Sequence, residues 1–305
     1  MERFGSLAER LVPGARIVRS WRLEGGVSSD VLALELALPA GDTRRVVVRG
    51  HRASASRADD PHLAAREHAL LTALHGAGLE VPRPLLLEPD ATRVGGAWLV
   101  IEFVEGTTDV SPEGLADALP QMARFLAALH ALDVEGLSLP PLPHREDPIE
   151  GALTYLPDAP WAPAVRAALE AHGPLVPDNS PCLLHGDFWP GNILWDQGKL
   201  RAVLDWEDCA LGDPLCDLAG SRVELLWRYG PEPVDTLTSD YLSRARVDSR
   251  DLPYWDLFVA SAGLAHMSAW GLSPEREAQM RQASIGGLER AAQGVLASAT
   301  GQRPS

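Results

Sequence analysis

Hydrophobic positions change their period part-way along this chain. Up to about residue 105 many of them fall in short strand-like runs, and beyond it they recur mainly at helical spacing. Phe4, Leu7, Ala8 and Leu11 share one face and predict a short amphipathic helix ending at Pro13-Gly14. Residues 17–24, 31–38 and 45–49 then read as three strands, with Gly25-Gly26 between the first two and Pro39-Ala40-Gly41-Asp42 before the third. A polar stretch, 52–61, leads to a helix over 62–76 carried by Leu63, Ala69, Leu70, Ala73 and Leu74. After the break at Val81-Pro82-Arg83-Pro84, strands over 85–88 and 97–103 complete a five-stranded antiparallel sheet with one helix.

The second half predicts helices. Ser111 is placed as an N-cap with Pro112 at the first helical position, and the helix runs to about residue 133, kinked or broken at Pro120. Residues 136–148 are Pro-rich and read as loop, and past residue 220 the pattern predicts helices over 221–229, 234–246, 251–271 and 274–298. The expected organisation is an N-terminal lobe, 1–104, and a mainly helical lobe, 105–305, joined near 102–106 with a ligand cleft between them.

Residues 185–217 carry the densest chemistry. Asn192 follows Asp187 by five positions, and Asp205 follows Asn192 by thirteen. Ile193-Leu194-Trp195 and Ala202-Val203-Leu204 flank a polar tip, Asp196-Gln197-Gly198-Lys199, which predicts a hairpin. Such a hairpin carries Asn192 and Asp205 into one site, with Asp187 on the loop just before it. Protein kinases use an Asp, an Asn five residues on and a second Asp on the next strand at these intervals.

His185-Gly186-Asp187 with Asn192, then Leu204-Asp205-Trp206-Glu207, then Gly212-Asp213-Pro214 with Asp217-Leu218-Ala219, resembles the aminoglycoside phosphotransferase family. The resemblance implies an α+β, bilobal protein-kinase-like fold that uses ATP and Mg²⁺ to phosphorylate a hydroxyl of a small molecule. That acceptor is an aminoglycoside-type antibiotic or a related compound, with a cellular metabolite of choline, homoserine or sugar type as the alternative. It makes Asp187 the catalytic base and Asn192 and Asp205 the metal ligands, oxygen donors suited to a hard cation. His185 is expected to brace the catalytic loop. Glu207 is expected near metal or substrate or just behind the ligands, and Asp213 and Asp217 are expected to hold the following segment by helix capping.

In the N-terminal lobe, the backbone N–H groups around Gly25, Gly26, Ser28 and Ser29 are expected to approach phosphates, with a plain hairpin loop as the alternative. Val46-Val47-Val48-Arg49 matches the strand that ordinarily ends in a phosphate-binding lysine, and Arg49 is expected to take that role and to pair with Glu67. The lone lysine, Lys199, lies at the hairpin tip. The Glu102 carbonyl and the Val104 N–H are expected to pair with adenine.

Composition narrows the classes. A net charge of −15 disfavours nucleic acid as a partner, although it would suit a cationic substrate. No run of eighteen apolar residues suggests a membrane span, and the charged N-terminal stretch lacks a secretory h-region, so the cytoplasm is the expected location. Cys182, Cys209 and Cys216 lack metal-site spacing and read as buried thiols. Trp227, Trp255 and Trp270 read as packing residues in preference to a stacking platform, and Asp235, Asp240, Asp251 and Asp256 as a solvated face or a ring around a cation. The rival from another class is a nucleotide-binding pseudokinase serving as an interaction module. Arg49 and the atypical glycine loop favour it, and the intact Asp187, Asn192 and Asp205 weigh against it.

Overall fold

The computed structural model describes residues 4–23, 29–51, 63–89, 97–145, 147–176 and 178–299. Five strands, β1 (Arg16–Arg22), β2 (Ser29–Ala37), β3 (Thr43–His51), β4 (Pro84–Glu88) and β5 (Trp98–Glu102), form one antiparallel sheet in the order β1-β2-β3-β5-β4. The run of valines in β3 divides between two cores, because successive side chains of a strand point to opposite faces. Val46 and Val48 join Leu34, Leu36, Trp98 and Val100 under Phe4, Leu7 and Ala8 at helix α1 (Gly5–Leu11). Val47, Leu99 and Ile101 face Leu70, Leu71 and Leu74 of helix α2 (Leu63–Gly76). Burying each such side chain contributes about 1.5–3 kcal/mol. The same period puts Arg49 on the α2 face with Val47, where Glu67 lies one turn before Leu70 and Leu71.

The lobes meet at an extended segment after β5. Thr107 and Trp195 exchange main-chain hydrogen bonds at 2.9 and 2.8 Å. Gly106 makes that approach feasible: it sits at φ +150°, and a Cβ there would lie 2.8 Å from the Trp195 carbonyl oxygen.

The second lobe is built around helix α3 (Leu115–His130), whose Leu119, Met122, Phe125, Leu126 and Leu129 are buried. The helix begins later than the sequence predicts. Residues 112–114 close a turn in which Ser111 Oγ accepts the Gly114 N–H at 3.2 Å. Pro120 lies inside α3 without breaking it. The bond it removes is the one to the Ala116 carbonyl, and Ala116 is exposed, so water can satisfy that oxygen.

Two helices outside the predicted set follow, α4 (Pro148–Tyr155) and α5 (Ala162–His172). Asp147 caps α4, accepting from Ile149 N–H at 2.8 Å, and ties it down by accepting from Leu175 N–H at 2.9 Å. Next come two small sheets, β6 (Cys182–Leu184) paired with β9 (Ala210–Gly212), and the predicted hairpin, β7 (Ile193–Asp196) with β8 (Lys199–Val203). Helices α6 (Leu215–Tyr229), α7 (Glu232–Arg244), α8 (Leu252–His266) and α9 (Pro274–Ala299) complete the lobe. A single 3₁₀ turn, Met267–Ala269, ends the stretch predicted to be one helix. Among the described residues, no helix is long and apolar enough to cross a membrane.

Candidate active site

The loop between β6 and β7 holds Asp187 and Asn192 together. The Asn192 amide nitrogen donates to both the main-chain oxygen and Oδ2 of Asp187, each at 2.8 Å. With its nitrogen spent this way, the Asn192 side-chain oxygen remains for another ligand. Asn192 also accepts the Leu204 N–H at its carbonyl, 2.7 Å, which joins the two ends of the β7–β8 hairpin and delivers Asp205 beside it. Burial pushes the Asp187 carboxyl above its ordinary value, opposed by His185 and by the bond from Asn192. Asp205 sits at φ +62°, in the left-handed region that Asp tolerates better than most residues.

His185 is fully buried and works through its ring. Nδ1 accepts the Asp187 N–H at 3.2 Å, so Nε2 carries the proton and donates to the Leu204 carbonyl at 2.8 Å. It thereby links the loop before Asp187 to the strand end before Asp205. Asp217 was expected to cap a helix and instead grips this loop, accepting from the main-chain N–H groups of His185 at 2.6 Å and Gly186 at 2.8 Å. It also accepts from His130 Nε2 at 3.2 Å, and Tyr241 OH lies 2.7 Å from His130 Nδ1. Burial alone would raise the Asp217 carboxyl, but His130, His185 and the Gly186 N–H outweigh it and hold the group below its usual range. Asp213 does meet a helix start, accepting the Leu215 N–H at 2.8 Å, and is held by Asn179 at 3.1 Å.

From the other lobe, Arg49 reaches into the site. One guanidinium nitrogen lies 3.2 Å from Glu67 Oε1 and another 3.1 Å from Asp205 Oδ1. Burial alone would lower its pKa, but the charges of Glu67, Asp205 and Glu207 overcome that and raise it. A lysine would bring a single nitrogen here, whereas the planar fork spans two carboxylates on different lobes. Glu207 and Glu67 both line a cavity of about 330 Å³ behind the site, between α2, Pro141–Pro143 and Trp206.

Glu224, which the sequence did not single out, faces this loop from α6. Ser221 Oγ donates to the Phe188 carbonyl at 2.7 Å, and the Arg228 guanidinium sits 5.8 Å from the Trp189 ring. Glu224 lies between them on the same helical face. Burial and the neighbouring Asp187 charge push its carboxyl up to about 8, against the pull of Arg276 and Arg228. The folded state therefore holds this proton more tightly than the unfolded chain. The resulting stabilisation is complete below the ordinary value of 4.5 and is lost as pH rises through about 8. Glu224→Gln should remove that loss. The melting temperature of the variant relative to the wild type is expected to climb between about pH 5 and pH 8 with the linkage slope of one proton, and to level off above that. A difference that stays flat across that range would show that Glu224 does not titrate there.

Glu102 closes β5 and Val104 lies in the extended segment that follows. Gly25, Gly26 and Ser28 lie outside the described residues, and of Ser29 only its place at the start of β2 is described. Trp227 and Trp255 are packing residues: both are buried, and Trp227 donates to Ser284 Oγ at 2.7 Å. Trp270 is partly exposed and packs its edge against Trp227. The acids of the late helices form no ring, since Asp256 is bound by Arg222 through two bonds of 2.9 Å and Asp235 is exposed. The three cysteines are buried thiols whose pKa values are raised by burial, that of Cys216 to about 12.

This fold and this loop define a kinase-like phosphotransferase architecture. Residues 22–258 match the model of the phosphotransferase enzyme family, and the chain belongs to that family. It is 29% identical over 238 residues to acyl-CoA dehydrogenase family member 11 of Rattus norvegicus, a match that spans 65% of this chain and 30% of that protein's length. It is 32% identical over 206 residues to the aminoglycoside 3'-phosphotransferase of Streptomyces fradiae, covering 60% of this chain and 74% of that one. A thermostable mutant of aminoglycoside phosphotransferase APH(4)-Ia, in ternary complex with ADP and hygromycin B, shares the fold at a TM-score of 0.62 and 15% identity, over 95% of this chain and 98% of that one.

Proposed function

We propose that the chain transfers the terminal phosphoryl group of ATP, with Mg²⁺, to a hydroxyl of a small molecule in the cytoplasm. The observation that carries this reading is the convergence of Arg49, Glu67, Asp205, Asn192 and Asp187 from two lobes. Phosphoryl transfer needs charge neutralisation and positioning more than covalent chemistry from the protein. Asp187 is the base that orients the acceptor hydroxyl and takes its proton. Asn192 keeps its amide oxygen, and Arg49 occupies only Oδ1 of Asp205, so two oxygen donors suited to a hard cation remain. A magnesium ion held by these two oxygens would supply charge neutralisation at the phosphate oxygens. Arg49, the glycine loop and the segment from Glu102 to Val104 hold the nucleotide, with the lobes divided at 104/105. Glu224 and Trp189 form the acceptor side.

Calorimetric titration with Mg·ATP, followed by turnover with aminoglycosides, macrolides, choline, homoserine and sugars, tests this. An absence of binding, or binding indifferent to Mg²⁺, would favour the pseudokinase reading. An antibiotic acceptor is the first reading. A hydroxyl on a cellular metabolite of choline, homoserine or sugar type is the second. Activity on one metabolite with none on any antibiotic would select it.

Arg49 gives a direct check on nucleotide binding. Arg49→Ala is expected to raise the KM for ATP and lower kcat, and Arg49→Lys to recover much of the loss, because a point charge on a similar stem still reaches phosphate. Glu67→Ala should do milder damage of the same kind. The double variant should be less than additive by about 0.5–3 kcal/mol, as expected for groups in contact. Wild-type ATP kinetics in both single variants would remove the pair from the nucleotide site.

A further inference from the structure

Arg145 ends the Pro-rich segment before α4 and belongs to none of the sequence motifs. Its Nη2 donates to two main-chain oxygens, that of Gly186 at 3.3 Å and that of Asp208 at 3.1 Å. Gly186 directly precedes Asp187, and Asp208 follows Asp205 by three residues. Among the described residues, these two carbonyls are the hydrogen-bond partners of its guanidinium, and no carboxylate pairs with it.

The surroundings are built to admit this side chain. The Arg145 N–H donates to the Leu211 carbonyl at 2.9 Å and the Leu211 N–H to the Pro143 carbonyl at 2.8 Å, so the segment runs as a rail beside β9. Two motif glycines keep its path open. A Cβ at Gly212 would lie 3.1 Å from Arg145 Cβ, and one at Gly186 would collide with both Asp208 O and Arg145 Nη2. Gly186 also sits at φ +87°, a conformation that an L side chain rarely adopts. Its N–H is held by Asp217 Oδ1 at 2.8 Å, so Gly186 is pinned at its nitrogen by one residue and at its oxygen by another.

We propose that Arg145 is a positioning residue for phosphoryl transfer: its guanidinium clamps the Gly186 and Asp208 carbonyls and so fixes the loop bearing Asp187 against the segment bearing Asp205. This rests on the phosphotransferase reading of the same site. The mechanism is geometric. Arg145 touches neither nucleotide nor acceptor, and it acts by keeping the base and the metal-side carboxylate at one separation.

The test uses the full chain and three measurements: turnover of Mg·ATP with water or the acceptor panel, calorimetric Mg·ATP binding, and thermal melting. Arg145→Ala is expected to lower kcat between about 10- and 100-fold, the scale of a misplacement near 1 Å. The KM for ATP should stay within about threefold, because the loss is in the transition state and not in nucleotide binding. Arg145→Lys should regain part of the rate, since an ammonium can also donate to two carbonyls. Millimolar guanidinium should partly rescue Arg145→Ala, which simple loss of folded protein would not allow. An unchanged kcat in Arg145→Ala would overturn the inference. So would a loss that tracks KM or the unfolded fraction and is recovered by neither lysine nor guanidinium. A wild type that turns over no Mg·ATP with water or with any acceptor of the panel would bring down the reading of the site itself, and the inference with it.

Discussion

Replacing Asp187 by Asn should abolish turnover while leaving the affinity for Mg·ATP within a few-fold. The substitution preserves the shape of the loop, because an asparagine oxygen can still accept from the Asn192 amide that now bonds Asp187 Oδ2. The main-chain bond from residue 187 to His185 Nδ1 does not involve the side chain and is unaffected. What disappears is the ability to take a proton. General-base contributions of this kind run at about 10²–10⁴-fold, and the upper end is expected where burial has already raised the carboxyl toward the working pH. A loss of ATP binding, with normal chemistry in the fraction that still binds, would move Asp187 from the acceptor to the nucleotide.

Asp205→Ala should remove the Mg²⁺-dependent part of ATP binding together with catalysis. Three losses coincide at this residue. One of two oxygen donors disappears, and the contribution of a metal to transition-state charge is several kcal/mol, on the order of 10³-fold in rate. Arg49 loses the partner that holds it across the cleft at 3.1 Å. The backbone at φ +62° must then accommodate alanine, at a strain of about 1–2 kcal/mol. Asp205→Asn separates these effects, because it retains an oxygen and a residue type that tolerates the left-handed region. Calorimetry of ATP with and without Mg²⁺ reads the outcome. An unchanged Mg²⁺ dependence in both variants would take Asp205 out of the metal site.

How much of this was legible before the fold was known differs from residue to residue. The β7–β8 hairpin was visible because its turn residues and its apolar runs are neighbours in the sequence, and a hairpin closes locally. Asp187, Asn192 and Asp205 were legible for the same reason, since a short loop and one hairpin span their separation. The pairing of Arg49 with Glu67 was anticipated through the family resemblance, which sets a strand-end cation against a carboxylate of the following helix. The direct contact between Arg49 and Asp205 could not, because it crosses the cleft between residues 156 positions apart.

Helix α4 begins at Pro148, the last residue of the Pro-rich stretch, which hid its start. Proline is also the residue favoured at a first helical position, and only the cap by Asp147 and the packing of Ile149 and Ala152 tip the balance. The small β6–β9 sheet was hidden because three-residue strands carry almost no periodicity.

The sequence by itself determined the strand-rich lobe, the helical lobe and the identity of the residues that meet around Asp187, because these follow from short-range pattern and spacing. The tertiary structure alone decided what Asp217, Glu224 and Arg145 do. Asp217 sits two residues inside α6 and reads locally as a capping acid, yet it is fully buried and bonds a loop more than thirty residues upstream. Glu224 is an ordinary helical acid until α6 packs against the loop at Phe188 and Trp189 and brings it near the Asp187 charge. Arg145 is an unremarked loop arginine until β9 lays the Pro-rich segment beside Gly186. A hydrogen bond or a shifted carboxyl is set by which groups approach within a few ångströms, and for these three residues that approach is made by distant parts of the chain.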